Sequence, residues 1–245
     1  MKVDGLEIET QRIGSSTGPT LVFLHEGLGS IGQWRDFPRK VSQATGLGAF
    51  VYSRAGYGKS DPLPMPRPVT YMHEEAARLP QILQTAGIGD AILVGHSDGA
   101  SIAILYAAKH PCRGLILEAP HVFTEEAGLR SIEKAREAYE NGELKPRLAR
   151  WHQDVDAAFW GWNGPWLHPD FRAWNIEASL PDIGAPILVI QGVDDEYGTR
   201  AQVDAIAGKA RRVQTLLLDK CGHAPHKDQP EATLQAMTRF VQSLP

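Results

Sequence analysis

The chain is poor in cysteine: among 245 residues only Cys112 and Cys221 occur, far apart and in no CxxC or metal-spaced set. That excludes a disulfide scaffold and a cysteine-rich zinc site, and points weakly to a reducing cytoplasm. No apolar run approaches the about 20 residues that span a bilayer. The opening MKVDGLEIETQRIG alternates apolar and polar residues and has no signal-peptide core. Excess charge is missing too. Twenty-five Lys and Arg stand against 29 Asp and Glu, a net charge of −4, with no basic stripe. Nucleic acid and anionic membranes are therefore not expected partners. Neither a metal nor a cofactor is expected, and the oligomeric state is not legible.

What is present is strand-like runs alternating with helical patterns. TLVFLH (20–25), GAFVYS (48–53), AILVGH (91–96), GLILEA (114–119), PILVIQG (186–192) and VQTLLLD (213–219) are short, apolar and bounded by turn residues. Such runs suit strands buried on both faces. Helices are expected over 33–44, 73–86, 98–109, 199–209 and 229–243. This order predicts an α/β fold: a mostly parallel central sheet with helices on both faces, with an antiparallel edge around 3–13. Residues 122–182 break the rhythm. They show helical patterning, no convincing strand, and five of the six tryptophans: Trp151, Trp160, Trp162, Trp166 and Trp174. We read them as a helical cap inserted in a core formed by 1–121 and 183–245. The proline-rich DPLPMPRP (61–68) reads as a stiffened loop.

GHSDG (95–99) fits G-x-S-x-G, with a strand before it and the small-residue helix ASIAILYAAKH after it. A sharp strand-to-helix turn of this kind exposes Ser97 as a nucleophile, and the glycines let neighbouring elements pack close. Serine needs a base to take its proton. Among nine histidines His223, in the loop after the last strand, is the first choice and His226 the second. His25, His96, His110 and His121 read as structural or pocket-lining; His73, His152 and His168 carry no catalytic signal. The base in turn needs an acid to fix its tautomer. GVDDEYG (192–198) offers Asp194, Asp195 and Glu196; spacing from Gly192 favours Asp195, then Asp194. A base of this kind predicts loss of rate on the acid side, near the ordinary histidine value of about 6.5.

GHSDG, PILVIQGVDD, CGHAPH and SRAGYGKSD (53–61) together resemble the α/β-hydrolase family over essentially the whole chain. The resemblance implies its fold, with an inserted cap, and the triad order Ser97, Asp195, His223. It also implies an oxyanion hole made by the backbone N–H of Asp98 and one from HEGLGS (25–30), assigned to Gly27 with Leu28 as fallback. Glu26 stands where the family commonly has glycine. The Ser-Asp-Gly elbow is similar to biphenyl-hydrolase-like enzymes that cleave amino-acid esters, so Asp98 and Glu26 are candidates for binding a substrate ammonium. The alternative is that each pairs internally, Arg54 being a candidate partner. Leu28, Trp160 and Trp162 are expected to line the substrate pocket. Cys221 reads as a small filler.

The expected activity is a cofactor-independent serine hydrolase of a small carboxylic ester, thioester or lactone. Carbon–carbon bond hydrolysis, lyase or perhydrolase chemistry on the same triad is the alternative. A small-molecule receptor with slow turnover is the non-enzymatic one.

Overall fold

The computed structural model describes residues 1–15 and 17–245. Strands β1 (Lys2–Val3) and β2 (Leu6–Glu7) form a small antiparallel ribbon, closed by a turn with positive φ at Asp4 and Gly5. The expected edge strand around 3–13 is thus divided. Only β3 (Thr10–Ile13) joins the main sheet, antiparallel to β5. The rest of the sheet is β4 (Thr20–Leu24), β5 (Gly48–Tyr52), β6 (Ala91–His96), β7 (Gly114–Glu118), β8 (Ile187–Gly192) and β9 (Val213–Leu218). Its order is β3-β5-β4-β6-β7-β8-β9, parallel throughout except for β3.

The helices are α1 (Phe37–Thr45), α2 (Tyr71–Thr85), α3 (Asp98–Ala107), α4 (Glu126–Glu140), α5 (Lys145–Leu148), α6 (Val155–Leu167), α7 (Arg200–Lys209), α8 (Pro225–Asp228) and α9 (Pro230–Ser243). The helix expected over 33–44 begins late. A separate turn, Ile31–Trp34, comes first, and Pro38 then sits in the first turn of α1, where its missing N–H costs nothing.

Alternation along the strands divides the core in two. Leu21, Phe23, Ile92, Val94, Ile116, Leu188 and Ile190 pack with Val41 of α1 and Met237 and Phe240 of α9. Their neighbours Val22, Leu24, Leu93, Leu115, Leu117 and Val189 pack on the opposite face with α2, α3 and the helices of 122–182. Strands β4 to β8 are buried residue by residue. Strand β9 is not. It closes the edge of the sheet, Gln214, Thr215 and Leu217 are exposed, and only Leu218 is buried. Reading VQTLLLD as a strand covered on both faces was wrong, because an edge strand has a neighbour on one side only.

The segment 122–182 lies between β7 and β8 and holds α4, α5 and α6 with the short turns Pro169–Ala173 and Glu177–Asp182. Among the described residues no helix is long and apolar enough to cross a membrane.

Candidate active site

Because β4, β6, β8 and β9 are parallel, the loops after them emerge at one edge of the sheet, where sites of such folds collect. Ser97 lies between the last residue of β6 and the first of α3, with φ 54° and ψ −118°, a left-handed backbone that a serine adopts only under strain. The surroundings impose it. The Ser97 N–H donates to the Glu118 carbonyl of β7 at 2.9 Å, and the Ser97 carbonyl accepts from Ala100 and Ser101 to start the helix. The flanking glycines are sites of close approach. A methyl group on Gly95 would strike the Gly99 and Ala100 backbone, and one on Gly99 would strike the Leu24 and His25 carbonyls. Ser97 therefore sits at the positive end of a ten-residue helix.

The loops after β8 and β9 interlock. Asp194 N–H donates to the Cys221 carbonyl at 2.9 Å, and Gly192 is packed against the Cys221 and Gly222 carbonyls too tightly for a side chain. Cys221 itself is buried and its thiol is pushed up to about 12 by burial, so it fills space. This crossing brings His223 to Ser97, with Nε2 2.9 Å from Oγ. Both carboxylate oxygens of Asp195 lie 2.9 Å from His223 Nδ1. Asp195 also accepts from the backbone N–H of Tyr197 (2.8 Å) and Gly198 (3.2 Å), and from Gln191 Nε2 at 2.6 Å. Burial alone would raise its pKa; the His223 hydrogen bond and charge, with the Tyr197 N–H, outweigh this and hold the carboxyl below its ordinary value. An anionic Asp195 fixes the proton on Nδ1 and leaves the Nε2 lone pair facing the Ser97 hydroxyl. Of the three acids in GVDDEYG it is Asp195 that makes this contact. The alternative base, His226, points elsewhere: its Nδ1 is 2.8 Å from Glu118 Oε2 inside the core.

The loop 25–30 lies beside the serine, anchored from below. Arg54, fully buried, donates to the His25 carbonyl (2.9 Å) and the Glu26 carbonyl (3.1 Å). His25, held neutral by burial and by Arg54, accepts from Arg54 N–H and donates from Nδ1 to Glu26 O. The Leu28 carbonyl faces His152 Nε2 at 2.9 Å. With these carbonyls engaged, the N–H groups of Gly27 and Asp98 have no acceptor among the described residues. Gly27 has no room for a side chain because the Trp162 indole covers it.

A cavity of about 110 Å³ opens on Ser97 and His223. Of the residues expected at the substrate, Glu26, Leu28 and Trp162 line it together with Gly27; His121, Ile132, Trp166 and Tyr197 complete it. Two expectations need correction. Trp160 is not in the wall: it is 36% exposed and packs against Tyr139 and Phe159 on the outside. Two residues along a helix turn the side chain by about 200°, so Trp160 and Trp162 of α6 cannot share a face, whereas Trp162 and Trp166 do. Nor does the Asp98 carboxylate reach the cavity. It is fully buried, accepting from Tyr71 OH of α2 and from Trp166 Nε1 at 3.2 Å, with Arg54 3.9 Å away. Internal pairing, Arg54 included, is its role here. Burial raises its pKa against the opposing pull of Arg54 and of these two donors.

His121 and Tyr197 carried little sequence signal. His121 follows β7, and burial, then the charge of His223, pushes it down to about 3, so it is neutral. Tyr197 packs its ring against His223 at a tilt of 42°, with centroids 4.7 Å apart. Larger surface hollows of about 480 Å³, around Ala91, Arg113 and Pro186, and about 440 Å³, around Asp61 and Asp154, do not touch Ser97. Among the described residues no group of three or more His, Cys, Asp or Glu side chains is arranged to hold a metal ion.

Comparison with known proteins agrees with this architecture. Relatives include a 2-(acetamidomethylene)succinate hydrolase of Mesorhizobium japonicum, 24% identical over 256 aligned residues covering 92% of this chain and 88% of that one. A 2-succinyl-6-hydroxy-2,4-cyclohexadiene-1-carboxylate synthase of Serratia proteamaculans is 25% identical over 259 residues, 93% and 95% of the two chains. An esterase from Exiguobacterium antarcticum superposes with a TM-score of 0.76 at 22% identity, covering 98% of this chain and 97% of its own. Residues 21–236 match the family model described as the alpha/beta hydrolase family. With that match spanning most of its length, the chain belongs to the α/β-hydrolase family of enzymes.

Proposed function

We propose that this enzyme is a cofactor-independent serine hydrolase of small carboxylic esters, with thioesters and lactones as neighbouring substrates. The observation that carries the reading is the unbroken chain of 2.9 Å contacts from Ser97 through His223 to Asp195 beside a cavity that opens on the serine. His223 takes the hydroxyl proton as Ser97 Oγ attacks the carbonyl carbon. The Asp98 and Gly27 N–H groups receive the oxyanion. His223 returns the proton to the departing alcohol, leaving an acyl-enzyme. It then deprotonates a water that attacks the acyl carbon, and the reverse transfer frees Ser97 and the acid.

Size and charge narrow the substrate. The cavity of about 110 Å³ is smaller than the roughly 150 Å³ void that admits benzene, which favours a short acyl group. Its lining includes no Lys or Arg to receive a substrate carboxylate, and the ionised side chain it does carry, Glu26, is acidic. This lining therefore does not favour a succinate such as the one in the hydrolase relative's name. Carbon–carbon cleavage on the same triad remains the second reading, since the relatives are not confined to ester chemistry.

The test is steady-state hydrolysis of p-nitrophenyl esters of increasing acyl length, beside a carbon–carbon substrate such as a vinylogous 1,5-diketone. A burst followed by sustained turnover of the short esters is expected, and Ser97→Ala should lower kcat by roughly 10⁴-fold or more with the fold intact. Labelling without product release would support a receptor, and turnover of the diketone alone the second reading.

A further inference from the structure

We infer that Glu26 and His96 form a tie that fixes the base-bearing loop against the oxyanion loop, which makes both of them positioning residues for the reaction. The inference rests on the serine-hydrolase reading above. The Glu26 carboxylate does not extend freely into the cavity. It folds back over Gly29, where a methyl group would collide with Oε2, and is only 16% exposed. Oε2 lies 3.5 Å from His96 Nδ1, and Oε1 lies 3.7 Å from Lys227 Nζ. On the far side of the same imidazole, His96 Nε2 is 2.7 Å from the backbone carbonyl oxygen of His223. His96 is 2% exposed, so no bulk water competes for these contacts.

Each end of the tie is one residue from, or part of, the chemistry. Glu26 precedes the oxyanion donor Gly27, His96 precedes the nucleophile Ser97, and the carbonyl that His96 holds belongs to the base itself. Three segments far apart in the chain, the loops after β4 and β9 and the last residue of β6, are thereby joined through one ring. Reaction geometry of this kind tolerates little slack: a misplacement of about 1 Å can cost about 100-fold in rate.

The protons can be counted. A carbonyl oxygen only accepts, so His96 Nε2 carries hydrogen. Were Nδ1 a bare lone pair, it would face a carboxylate and repel it. Protonating Nδ1 as well turns the repulsion into an ion pair: an imidazolium whose Nε2 donates to a carbonyl and whose otherwise unpartnered Nδ1 faces a carboxylate 3.5 Å away. Burial alone would lower the pKa of His96 and raise that of Glu26. The attraction between them across 3.5 Å outweighs burial in both, with Lys227 adding to it for Glu26, so His96 is raised and Glu26 lies well below its ordinary value. Of the other groups facing the ring, Glu118 on β7 favours the charge and Lys227 on α8 opposes it; the rings of His223 and His226 lie 5.2 and 5.0 Å away. The sign follows. The tie is whole while His96 keeps its second proton and loosens as pH rises through the raised value. The rate profile therefore acquires an alkaline limb above the ordinary histidine value of about 6.5.

The experiment measures kcat and KM for p-nitrophenyl acetate between roughly pH 5 and 10 in wild type, Glu26→Ala, Glu26→Gln and Ser97→Ala. Glu26→Ala should lower kcat by about 10- to 100-fold with KM little changed. Glu26→Gln should restore most of that loss, because its amide N–H can donate to the Nδ1 lone pair of a neutral His96, and it should erase the alkaline limb. A wild-type rate and profile in Glu26→Ala would overturn the tie, as would Glu26→Gln no better than Glu26→Ala. A Glu26→Ala defect confined to KM for cationic glycine esters would overturn it in favour of a substrate contact. Nitrogen-15 NMR of His96 in Ser97→Ala supplies a readout independent of turnover: both ring nitrogens should be protonated at neutral pH, and a neutral ring there sinks the inference. Wild-type turnover in Ser97→Ala would instead sink the serine-hydrolase reading while leaving the NMR result standing.

Discussion

The sheet edge and the inserted segment 122–182 build the same cavity by different means. At the sheet edge the backbone sets position. Adjacent parallel strands are locked in register, His96 opposite Glu118 and Leu117 opposite Val189, and the loops they carry cross too closely for side chains at Gly99 and Gly192. In the insertion side-chain faces set position. Phe171 stacks on Trp174 at 5.2 Å, Tyr139 on Phe159 at 3.7 Å, and one face of α6 turns Trp162 and Trp166 inward. The difference separates two tasks. Backbone-fixed loops hold Ser97, His223 and Asp195, and on the proposed function the aromatic faces select what fits above them.

Substitutions on each side sharpen that contrast. The largest effect is expected at Asp195→Asn, which keeps the shape but favours the wrong tautomer of His223; kcat should fall by about 10⁴-fold with the melting temperature nearly unchanged. Trp162→Ala should act on selection instead. It removes a buried aromatic, at a cost of about 3–5 kcal/mol of stability by denaturant titration, and should shift the preferred ester towards longer acyl chains by opening space above Gly27. Trp160→Ala, on the same helix but outside and packed only partly against Tyr139 and Phe159, should cost less, about 1 kcal/mol of stability, and leave the acyl-chain profile as it is. Equal shifts in substrate preference from Trp160→Ala and Trp162→Ala would break the distinction between the two faces of α6.

Much of the sheet edge was legible before any coordinates, because strand, turn and helix signals are local. The runs giving β4 to β8, the glycines of the elbow and the placement of Asp195 three residues beyond Gly192 all follow from short windows. The contacts that were not legible join distant segments. Asp98 is satisfied from α2 by Tyr71 and from α6 by Trp166, 27 and 68 residues away; no local pattern marks such partners. The same holds for His96 and the His223 carbonyl, 127 residues apart. Two errors had local causes. Strand β9 has the composition of a central strand, but its edge position exposes Leu217. Trp160 and Trp162 were grouped by residue type, although helical periodicity alone separates them and unites Trp162 with Trp166.

The pairing of β7 with β8 places Leu115 opposite Ile187 and Glu118 opposite Ile190, a ladder that closes over the excursion 122–182 and draws nothing from it. That seam works like a lens mount. A foreign stretch of helices grafted between the same two anchored ends would keep that ladder, but it would also have to replace the Trp166 indole N–H that satisfies the buried Asp98 beside Ser97.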